Sequence, residues 1–313
     1  MKRRLALALT SLALALPAMA QQDKTLRVIV PYPAGGNSDN IGRLYAEALG
    51  KKLGRPVVVE NRPGAGALIG AQAAARAPAD GNTLLVAPTA VFVATPHLTK
   101  MGMDPLDAFV PVAKLTSWIP VMVVRKDFPA NTFNELVAEL KKNPGKYSFA
   151  SAGPATMTHL MGELMNLKLG VKTVHVPYKG SAEFIPDLIS GRVDFVYDSV
   201  VVPQVKAGQL RPMVSMVNIH HPELKNVPTL KEVGVDLDTP NWYGVFAPKG
   251  TPQDVVDKLG EASREVMQSM DTEKLTKMSM APSYQGPKEF KAQIAKDDEL
   301  MKDVIQKADV RVQ

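Results

Sequence analysis

The sequence predicts an α/β protein of two lobes, each built on a mixed, mostly parallel sheet flanked by helices. Short strand-like runs alternate with longer helical runs, and this alternation starts twice along the chain, a pattern typical of parallel sheets. Two extended segments that begin with an aromatic residue, residues 118–125 and 242–248, enclose the second unit. We expect one to leave the first lobe and the other to return to it, with a ligand cleft between the lobes. The alternative is that both segments are ordinary core strands of a single domain.

The first unit follows from the spacing of its apolar residues. The segment after its first strand places Ile41, Tyr45 and Leu49 on one face at intervals of four residues, which predicts an amphipathic helix. The predicted elements are strands at residues 26–31, 56–60 and 83–87, and helices at 38–53 and 67–76.

The second unit repeats this alternation. Its predicted elements are helices at residues 136–142, 156–169 and 182–190, and strands at 147–150, 173–176 and 193–197. After the return segment, the charged tail at 288–312 has apolar positions at helical spacing, which predicts a surface helix docked on the first lobe.

Composition limits the classes of protein. The chain has 313 residues, of which 45% are hydrophobic and 22% charged, as in ordinary globular proteins of about two domains. It has no Cys, which excludes a disulfide scaffold, a thiol nucleophile, a cysteine–zinc site and an iron–sulfur cluster.

The first 20 residues have the pattern of a secretory signal peptide. Lys2, Arg3 and Arg4 precede an apolar run that is too short to span a bilayer, and the small residues Ala18 and Ala20 favour cleavage after Ala20. We therefore expect a soluble, periplasmic protein. The expected domains are the signal peptide at 1–20, a first lobe at 21–123 plus 243–313, and a second lobe at 124–242.

Removal of the signal peptide leaves 34 basic against 31 acidic residues, so the mature chain is only mildly basic. The sequence has no stripe of Lys and Arg interleaved with aromatic residues, and we expect no nucleic-acid partner.

The strongest candidate for a ligand site is the loop after the first strand. The sequence PYPAGGNSD turns on two Gly residues and opens a helix, where exposed backbone N–H groups attract an anion. A plain strand–helix turn is the alternative. The candidate ligand residues are Tyr32, Ala34, Gly35, Gly36 and Asn37.

A second loop, SAGPAT, follows the strand at 147–150 in the same way. Its small side chains and hydroxyls leave room for a ligand, and the candidate residues are Ser151, Gly153, Ala155 and Thr156. His159 lies one turn into the next helix and is a further candidate, although a lone helical His is often a core or surface residue.

Other strand ends supply the remaining candidates, because open α/β sheets bind ligands at the carboxyl ends of their strands. Asp198 is suited to an ammonium or hydroxyl group, or to capping the next turn. The other candidates are Ala65, Thr89, Ala90, Tyr178, Lys179, Gly180 and Ser199.

Signatures of catalysis and of cofactors are missing. The sequence has no G-x-S-x-G elbow, H-E-x-x-H motif or Walker loop, and the five His residues lack metal-ligand spacing. The Gly-rich run at 64–70 has three residues between its second and third Gly, where a dinucleotide fingerprint needs two. We expect no catalytic residue, no metal and no cofactor.

Several blocks together resemble the periplasmic solute receptors of tripartite tricarboxylate transporters, also called Bug receptors. The similar blocks, in the family's order, are PYPAGGNSDNIGR, RPVVVENRPGAGALIGA, APADGNTLL, HVPYKGSAEFIPDLISGRVDFVYDS, VPTLKEVGV and NWYGVFAPKGTP. They cover nearly all of the chain after residue 20, and the part after Met278 matches weakly. Asn82 stands where the family often has Tyr.

The resemblance implies a two-lobed, type II-like periplasmic binding protein that closes on a small carboxylate: a dicarboxylate, a tricarboxylate, an acidic amino acid or an aromatic acid. The resemblance implies that this carboxylate lies between the Gly-Gly loop and the facing SAGPAT loop. We expect Asp39 and Arg43 to have a structural role. The implied partners are the large and small membrane subunits of the transporter, and we expect a monomer. A ligand-sensing partner of a membrane signalling protein and a secreted hydrolase are the alternatives.

Overall fold

The computed structural model describes residues 25–100, 102–237 and 239–311. The predicted signal peptide and its cleavage site lie outside the described residues.

The chain before the crossing to the second sheet alternates strands and helices as predicted, with boundaries shifted by one or two residues. Its elements are β1 (Leu26–Val30), α1 (Asn37–Leu53), β2 (Val57–Asn61), α2 (Leu68–Ala75), β3 (Thr83–Pro88), α3 (Ala90–Val93), α4 (Thr95–Leu98), α5 (Pro105–Ala108) and β4 (Phe109–Trp118).

The middle of the chain forms the second unit, and the last part returns to the first sheet. The elements of the middle are β5 (Val121–Arg125), α6 (Phe133–Lys142), β6 (Ser148–Ser151), α7 (Met157–Leu169), β7 (Val174–Pro177), α8 (Ile185–Ile189), β8 (Phe195–Tyr197), α9 (Val202–Lys206) and β9 (Leu210–Ser215). Those of the last part are β10 (Trp242–Pro248), α10 (Gln253–Gln268), α11 (Thr272–Lys277), β11 (Met280–Gln285) and α12 (Pro287–Lys307).

The strands form two mixed sheets. The first has the order β11-β4-β10-β3-β1-β2 and the second has the order β7-β6-β8-β5-β9. Strand β1 pairs in parallel with β2 and β3, and β6 pairs in parallel with β7 and β8, whereas β5 and β10 run antiparallel to both of their neighbours. Each sheet therefore contains three neighbouring parallel strands. The middle strand of the three is β1 in the first sheet and β6 in the second.

The crossing between the sheets is shorter than expected. The segment at residues 118–125 is not one continuous strand, because β4 ends at Trp118 and β5 begins at Val121. Pro120 lies between them and has no N–H to offer a ladder. The expected change of lobe between residues 123 and 124 falls inside β5, whose residues all pair in the second sheet. Judged by strand pairing, the chain passes from the first sheet to the second at residues 119–120. The limits of the lobes as moving units remain a prediction.

Local sequence explains where the principal helices begin and end. Gly54, in the left-handed conformation, is the C-cap of α1, and Thr156 is the N-cap of α7, where its side chain accepts a hydrogen bond from the His159 N–H. The expected helix at 182–190 is shorter in the structure, because α8 begins at Ile185 with Pro186 in its first turn, the position that proline favours.

The two sheets share apolar packing. One buried cluster includes Phe92 and Phe246 from the first sheet's layer together with Phe149 and Leu164 from the second. The carboxyl-terminal helix α12 packs on β4 and also on α7, so it contacts both halves of the molecule. The predicted tail helix is confirmed, although it ends at Lys307 rather than at 312.

Candidate functional site

The candidate ligand residues lie at one kind of position. All follow the carboxyl ends of the parallel strands β1, β2 and β3 in the first sheet, or of β6, β7 and β8 in the second. The two loops singled out by the sequence follow β1 and β6, the middle one of the three parallel strands in each sheet. Loops after central parallel strands are where open α/β sheets bind ligands.

The loop after β1 is braced by one buried carboxylate. Asp39 Oδ2 accepts from the Gly35 N–H at 2.8 Å and from Arg43 Nε at 2.9 Å, and Oδ1 accepts from Asn61 Nδ2 at 2.9 Å. Arg43 in turn donates to Asn61 Oδ1 at 3.0 Å, and Asn61 Nδ2 also donates to the Tyr32 carbonyl at 3.1 Å. The Asp39 side chain is only 3% exposed. Asp39 therefore fixes the loop rather than facing a ligand.

The environment of Asp39 favours its ionised form. Burial raises the pKa of this carboxyl, but the hydrogen bonds from Arg43, Gly35 and Asn61 together outweigh burial and hold the pKa below its ordinary value. The Asp39 carboxylate that holds the loop is thus negatively charged near neutral pH.

The first turn of α1 is open to an anion. Its N-cap is Gly36, which has no side chain to cap the helix, and Asp39 points back to Gly35 instead of capping. The residues Ala34 to Asn37 are exposed. Gly35 has a φ of 88°, a conformation that favours glycine. The helix dipole and the unbonded N–H groups of such a turn attract a carboxylate without a cationic side chain.

The loop after β6 is built differently, because it satisfies most of its own donors. The Ala152 N–H donates to Thr158 Oγ1 at 3.0 Å, and the Gly153 N–H donates to Ser151 Oγ at 3.1 Å. Thr156 Oγ1 donates to the Gly153 carbonyl at 2.8 Å. We expected two loops of the same construction. In the structure, the first loop offers backbone N–H donors, whereas the second loop uses most of its donors in hydrogen bonds to its own residues and to the first turn of α7.

His159 lies beneath this second loop. Its Nδ1 accepts from the Ala155 N–H at 3.0 Å, its side chain is 11% exposed, and it stacks on His175 with ring centroids 3.7 Å apart. His175 Nε2 lies 2.6 Å from Ser151 Oγ. His159 therefore supports the loop from below, and its direct contact with a ligand remains a prediction.

Asp198 is a buried carboxyl without a basic partner among its hydrogen bonds. It accepts from Ser181 Oγ at 2.6 Å and from the Val200 N–H at 3.0 Å, so it does cap the turn after β8. Burial raises the pKa of Asp198, and these hydrogen bonds oppose the rise. Its neighbour Ser199 accepts from Trp118 Nε1 at 2.8 Å, a direct bond between the two sheets' layers.

Sequence reasoning missed Tyr243. This residue follows the buried Trp242, the first residue of β10, and because side chains alternate along a strand it points to the opposite face. Burial raises the pKa of the Tyr243 hydroxyl, and a hydrogen bond with Ser38, at the start of α1, opposes the rise. The aromatic start of the return segment was the available signal.

The remaining candidates have varied surroundings. The Thr89 hydroxyl is buried and bonds the backbone of Trp242, donating to its carbonyl at 2.9 Å and accepting from its N–H at 2.7 Å, so Thr89 ties β3 to β10 rather than offering a free hydroxyl. Tyr178 donates to Asp187 at 2.8 Å, and burial, with that carboxylate, raises its pKa to about 12. The other candidates are partly or fully exposed: Ala65, Ala90, Lys179 and Gly180.

Two alanines in these loops adopt a left-handed backbone. Ala65 has a φ of 48° and Ala155 a φ of 60°. A non-glycine residue in this region costs on the order of 1–3 kcal/mol, and such strain is concentrated at ligand sites. Ala155 belongs to the loop after β6, and Ala65 to the loop after β2.

Within residues 25–100, 102–237 and 239–311, no group of three or more His, Cys, Asp or Glu is placed to hold a metal ion. None of the helices described is long and apolar enough to cross a bilayer. Two surface grooves lie beside His97 and beside Lys52, and neither contains a candidate residue.

Comparison with known proteins identifies the family. Residues 41–310 match the model of the tripartite tricarboxylate transporter family receptor. The chain belongs to this family of receptors. The resemblance seen in the sequence blocks is therefore confirmed.

Three solved structures are similar to the receptor over most of its length. One described as a periplasmic transporter is 39% identical, with a TM-score of 0.75, and the match covers 94% of this chain and 100% of that one. MatC from Rhodopseudomonas palustris, with bound malate, is 30% identical, with a TM-score of 0.70 and coverage of 90% and 98%. Rpa4515 from R. palustris, with adipate, is 28% identical, with a TM-score of 0.74 and coverage of 92% and 98%.

The receptor has the two-lobed fold of these periplasmic binding proteins, and the predicted fold class is confirmed by its two mixed sheets flanked by helices.

Proposed function

We propose that the receptor is exported to the periplasm, captures a small carboxylate between its lobes and delivers it to the membrane subunits of a tripartite tricarboxylate-type transporter. It performs no covalent chemistry. Contacts from both lobes favour the closed form because the ligand binds that form more tightly than the open one. The closed form is then the shape that the large and small membrane subunits recognise.

The uncapped first turn of α1 carries this proposal. Gly36 leaves its N–H groups without a side-chain cap, and Asp39 holds the loop rigid through Gly35, so that the donors are positioned before the ligand arrives. A carboxylate bonded there needs no arginine clamp. The candidate residues of both loops remain, as a set, the proposed ligand contacts, with Thr89 acting through the backbone it binds.

The proposed ligand class is a dicarboxylate or a related small acid. The malate and adipate held by the similar receptors MatC and Rpa4515 support this class. Asp198 narrows it, since a buried carboxyl with no cationic hydrogen-bond partner repels a second ionised carboxylate placed against it. We propose that the distal carboxylate of the ligand binds away from Asp198, and that a hydroxyl or ammonium group binds beside it.

Binding is tested with protein comprising residues 21–313, unfolded and refolded to remove any retained ligand, in a thermal-shift and calorimetric screen. Dicarboxylates, tricarboxylates, acidic amino acids and aromatic acids are compared with their neutral amides. An acid at about 100 times its dissociation constant adds about 2.7 kcal/mol of stability. Shifts confined to acids support the proposal, and equal shifts with the amides, or none with any acid, contradict it.

The anion site is tested by Asn37→Pro with Asn37→Ala as its matched control. Asn37 is the first residue of α1, a position where proline keeps the helix and removes only the N–H. We expect Asn37→Pro to weaken acid binding at least about 10-fold, which is the loss of one charge-assisted hydrogen bond of about 1.4 kcal/mol, with an unchanged melting temperature. Asn37→Ala keeps the N–H and should bind within about threefold of the native chain. Equal binding by both variants would exclude α1 as the anion site.

A further inference from the structure

Two neighbouring loops lie at the edge of the second sheet that is opposite the candidate ligand loops. Residues 143–147 lead from α6 into β6, and residues 170–173 lead from α7 into β7. Because β6 and β7 pair in parallel, both loops precede the amino ends of neighbouring strands, whereas the candidate ligand loops follow the carboxyl ends. The Gly145 N–H donates to the Lys172 carbonyl at 2.7 Å and joins the two loops directly.

This edge carries a concentration of exposed lysines, which we call the basic pole: Lys141, Lys142, Lys146, Lys168 and Lys172. Lys146 lies 4.0 Å from a carboxylate oxygen of Glu139. Among the described residues, none of the other lysines of the pole forms an ion pair. The basic pole therefore presents several positive charges that the protein itself does not neutralise.

The carboxylates that border the basic pole are already bonded to other groups. Glu139 accepts from the Tyr147 hydroxyl and from Asn143 Nδ2. Asp194, which lies beside the start of β6, accepts from Arg125 Nε at 2.9 Å. These carboxylates serve the local fold and are not directed to the unpaired lysines.

The corresponding turn of the first lobe offers a contrast. Lys51 and Lys52 lie in the last turn of α1 before β2, as Lys141 and Lys142 lie in the last turn of α6 before β6. Both lysines of α1 pair with a carboxylate. Cations in the last turn stabilise a helix through its dipole in both lobes. The dipole thus explains the position of these lysines, but it does not explain why those of the second lobe lack partners.

Two aliphatic side chains are exposed at the same pole. Leu167, in the last turn of α7, is 42% exposed, and Val174, the first residue of the edge strand β7, is 49% exposed. The Thr173 hydroxyl donates to Asn166 Oδ1 at 2.7 Å and holds the end of α7 beside the start of β7. The surface of the basic pole therefore combines lysines with exposed apolar groups.

We propose that the basic pole binds the surface of an anionic lipid bilayer. Clusters of about four to eight basic residues attract anionic headgroups, and apolar side chains among them add contact with the lipid boundary. Every cation of the pole is a lysine, whose flexible point charge needs no fixed geometry, whereas protein interfaces are enriched in arginine and depleted in lysine.

This attachment goes beyond the proposed function and needs no carboxylate ligand. It keeps the receptor at the membrane in which the proposed transporter subunits lie. Because the pole and the candidate ligand loops lie at opposite edges of the second sheet, lipid bound at the pole leaves these loops accessible.

The proposal is tested by co-sedimentation of the protein, comprising residues 21–313 and free of ligand, with lipid vesicles. Vesicles of phosphatidylglycerol and phosphatidylcholine in equal amounts are compared with vesicles of phosphatidylcholine alone. At about 25 mM salt we expect at least about tenfold stronger partitioning onto the anionic vesicles, falling at least about threefold at about 150 mM salt because exposed charges are screened. Equal partitioning onto both kinds of vesicle, or none onto either, would overturn the proposal.

Two variants with the same change in net charge separate the basic pole from the charge of the whole protein. The pole variant carries Lys141→Gln, Lys142→Gln, Lys168→Gln and Lys172→Gln. The control carries Lys51→Gln, Lys52→Gln, Lys258→Gln and Lys274→Gln, all at exposed, ion-paired lysines of the first lobe. We expect the pole variant to lose at least about fivefold in partitioning onto anionic vesicles and the control to change less than about twofold. Equal losses in the two variants would contradict a specific role of the pole.

An acidic protein segment is the other occupant that such lysines attract, and a soluble poly-glutamate peptide serves as its probe. If the peptide binds the native chain but not the pole variant, while anionic vesicles bind neither, the assignment to lipid is wrong. Neither probe depends on the carboxylate ligand. A negative result with vesicles therefore leaves the proposed function standing, and a negative screen of acids leaves the lipid attachment standing.

Discussion

At the scale of single residues, each of the two candidate ligand loops is held by a buried polar side chain. Asp39 bonds Gly35, Arg43 and Asn61, and His159 bonds Ala155. Buried polar groups are costly unless they are paired, so each of these side chains constrains the backbone that completes its bonding. Each loop is therefore tied to the fold by a buried side chain.

Replacement of Asp39 tests this bracing. Asp39→Asn removes the charge on a carboxyl that is almost fully buried, so the bonds from Arg43 and Gly35 weaken. We expect a loss of about 1–3 kcal/mol in the free energy of unfolding by denaturant titration, with weaker ligand binding. Asp254→Asn, at an exposed ion pair with Lys258 in α10, is the control and should cost less than about 0.5 kcal/mol.

The sign of the pH dependence follows from the lowered pKa of Asp39. A carboxyl with a lower pKa in the folded chain stabilises the fold at pH values above its unfolded pKa of about 3.9, and this contribution is lost as the pH falls through the folded pKa. The difference between native and Asp39→Asn stability should therefore be largest near neutral pH and shrink below about pH 4. A difference that grows on acidification would show that Asp39 is not held ionised.

The polarity of the distal subsite is tested at Asp198. Asp198→Asn can keep the bonds to the Val200 N–H and Ser181 while removing the negative charge. We expect an acid that carries an ammonium or hydroxyl group to lose at least about 10-fold in affinity, and a plain dicarboxylate to change less than about threefold or to improve. Equal losses for both ligands, measured by calorimetry, would remove Asp198 from the subsite.

At the scale of elements, the strand ends could be predicted from sequence but the arrangement between them could not. Alternating strands and helices indicate a parallel sheet, and the loops after β1 and β6 follow from that alone. The contact of Tyr243 with Ser38 could not be predicted in this way, because it depends on β10 lying between β3 and β4 in the sheet. Asn61 likewise meets Asp39 because β1 and β2 are neighbours in the sheet. Both contacts depend on strand order, which local patterns do not specify.

The position of α7 depends on a close approach at Gly162. A Cβ atom there would lie 2.1 Å from the ring of Phe149 in β6. Gly162→Ala gains up to about 1 kcal/mol in helix propensity, but overpacking costs about 1–3 kcal/mol or more. Because α7 begins at the ligand loop, we expect a lower melting temperature and weaker ligand binding together.

The control for this substitution is Gly260→Ala in α10, where an added Cβ would lie 3.1 Å from a ring atom of Pro287 and 3.3 Å from the Val112 carbonyl oxygen, a milder crowding than at Gly162. It should change stability by less than about 1 kcal/mol and leave ligand binding unchanged. Equal stability and binding for Gly162→Ala and the native chain would show that α7 does not pack on Phe149 as described.

At the scale of the whole molecule, polar contacts between the layers of the two sheets include the bond from Trp118 Nε1 to Ser199 Oγ and two bonds between Trp118 and Asn241 at the crossing. The crossings at residues 119–120 and ahead of β10 are the covalent links between the sheets among the residues described, and α12 contacts both halves. We propose that the lobes move about these two crossings and that the ligand bridges them when it binds.

Solution X-ray scattering of the refolded protein, comprising residues 21–313, with and without the best-binding acid is the most direct test of capture between the lobes. The radius of gyration should decrease on addition of the acid, stay constant with its neutral amide, and decrease less for Asn37→Pro at the same acid concentration. Tight calorimetric binding of the acid with an unchanged radius of gyration and scattering profile would contradict closure, and would mean that the acid binds to one lobe alone.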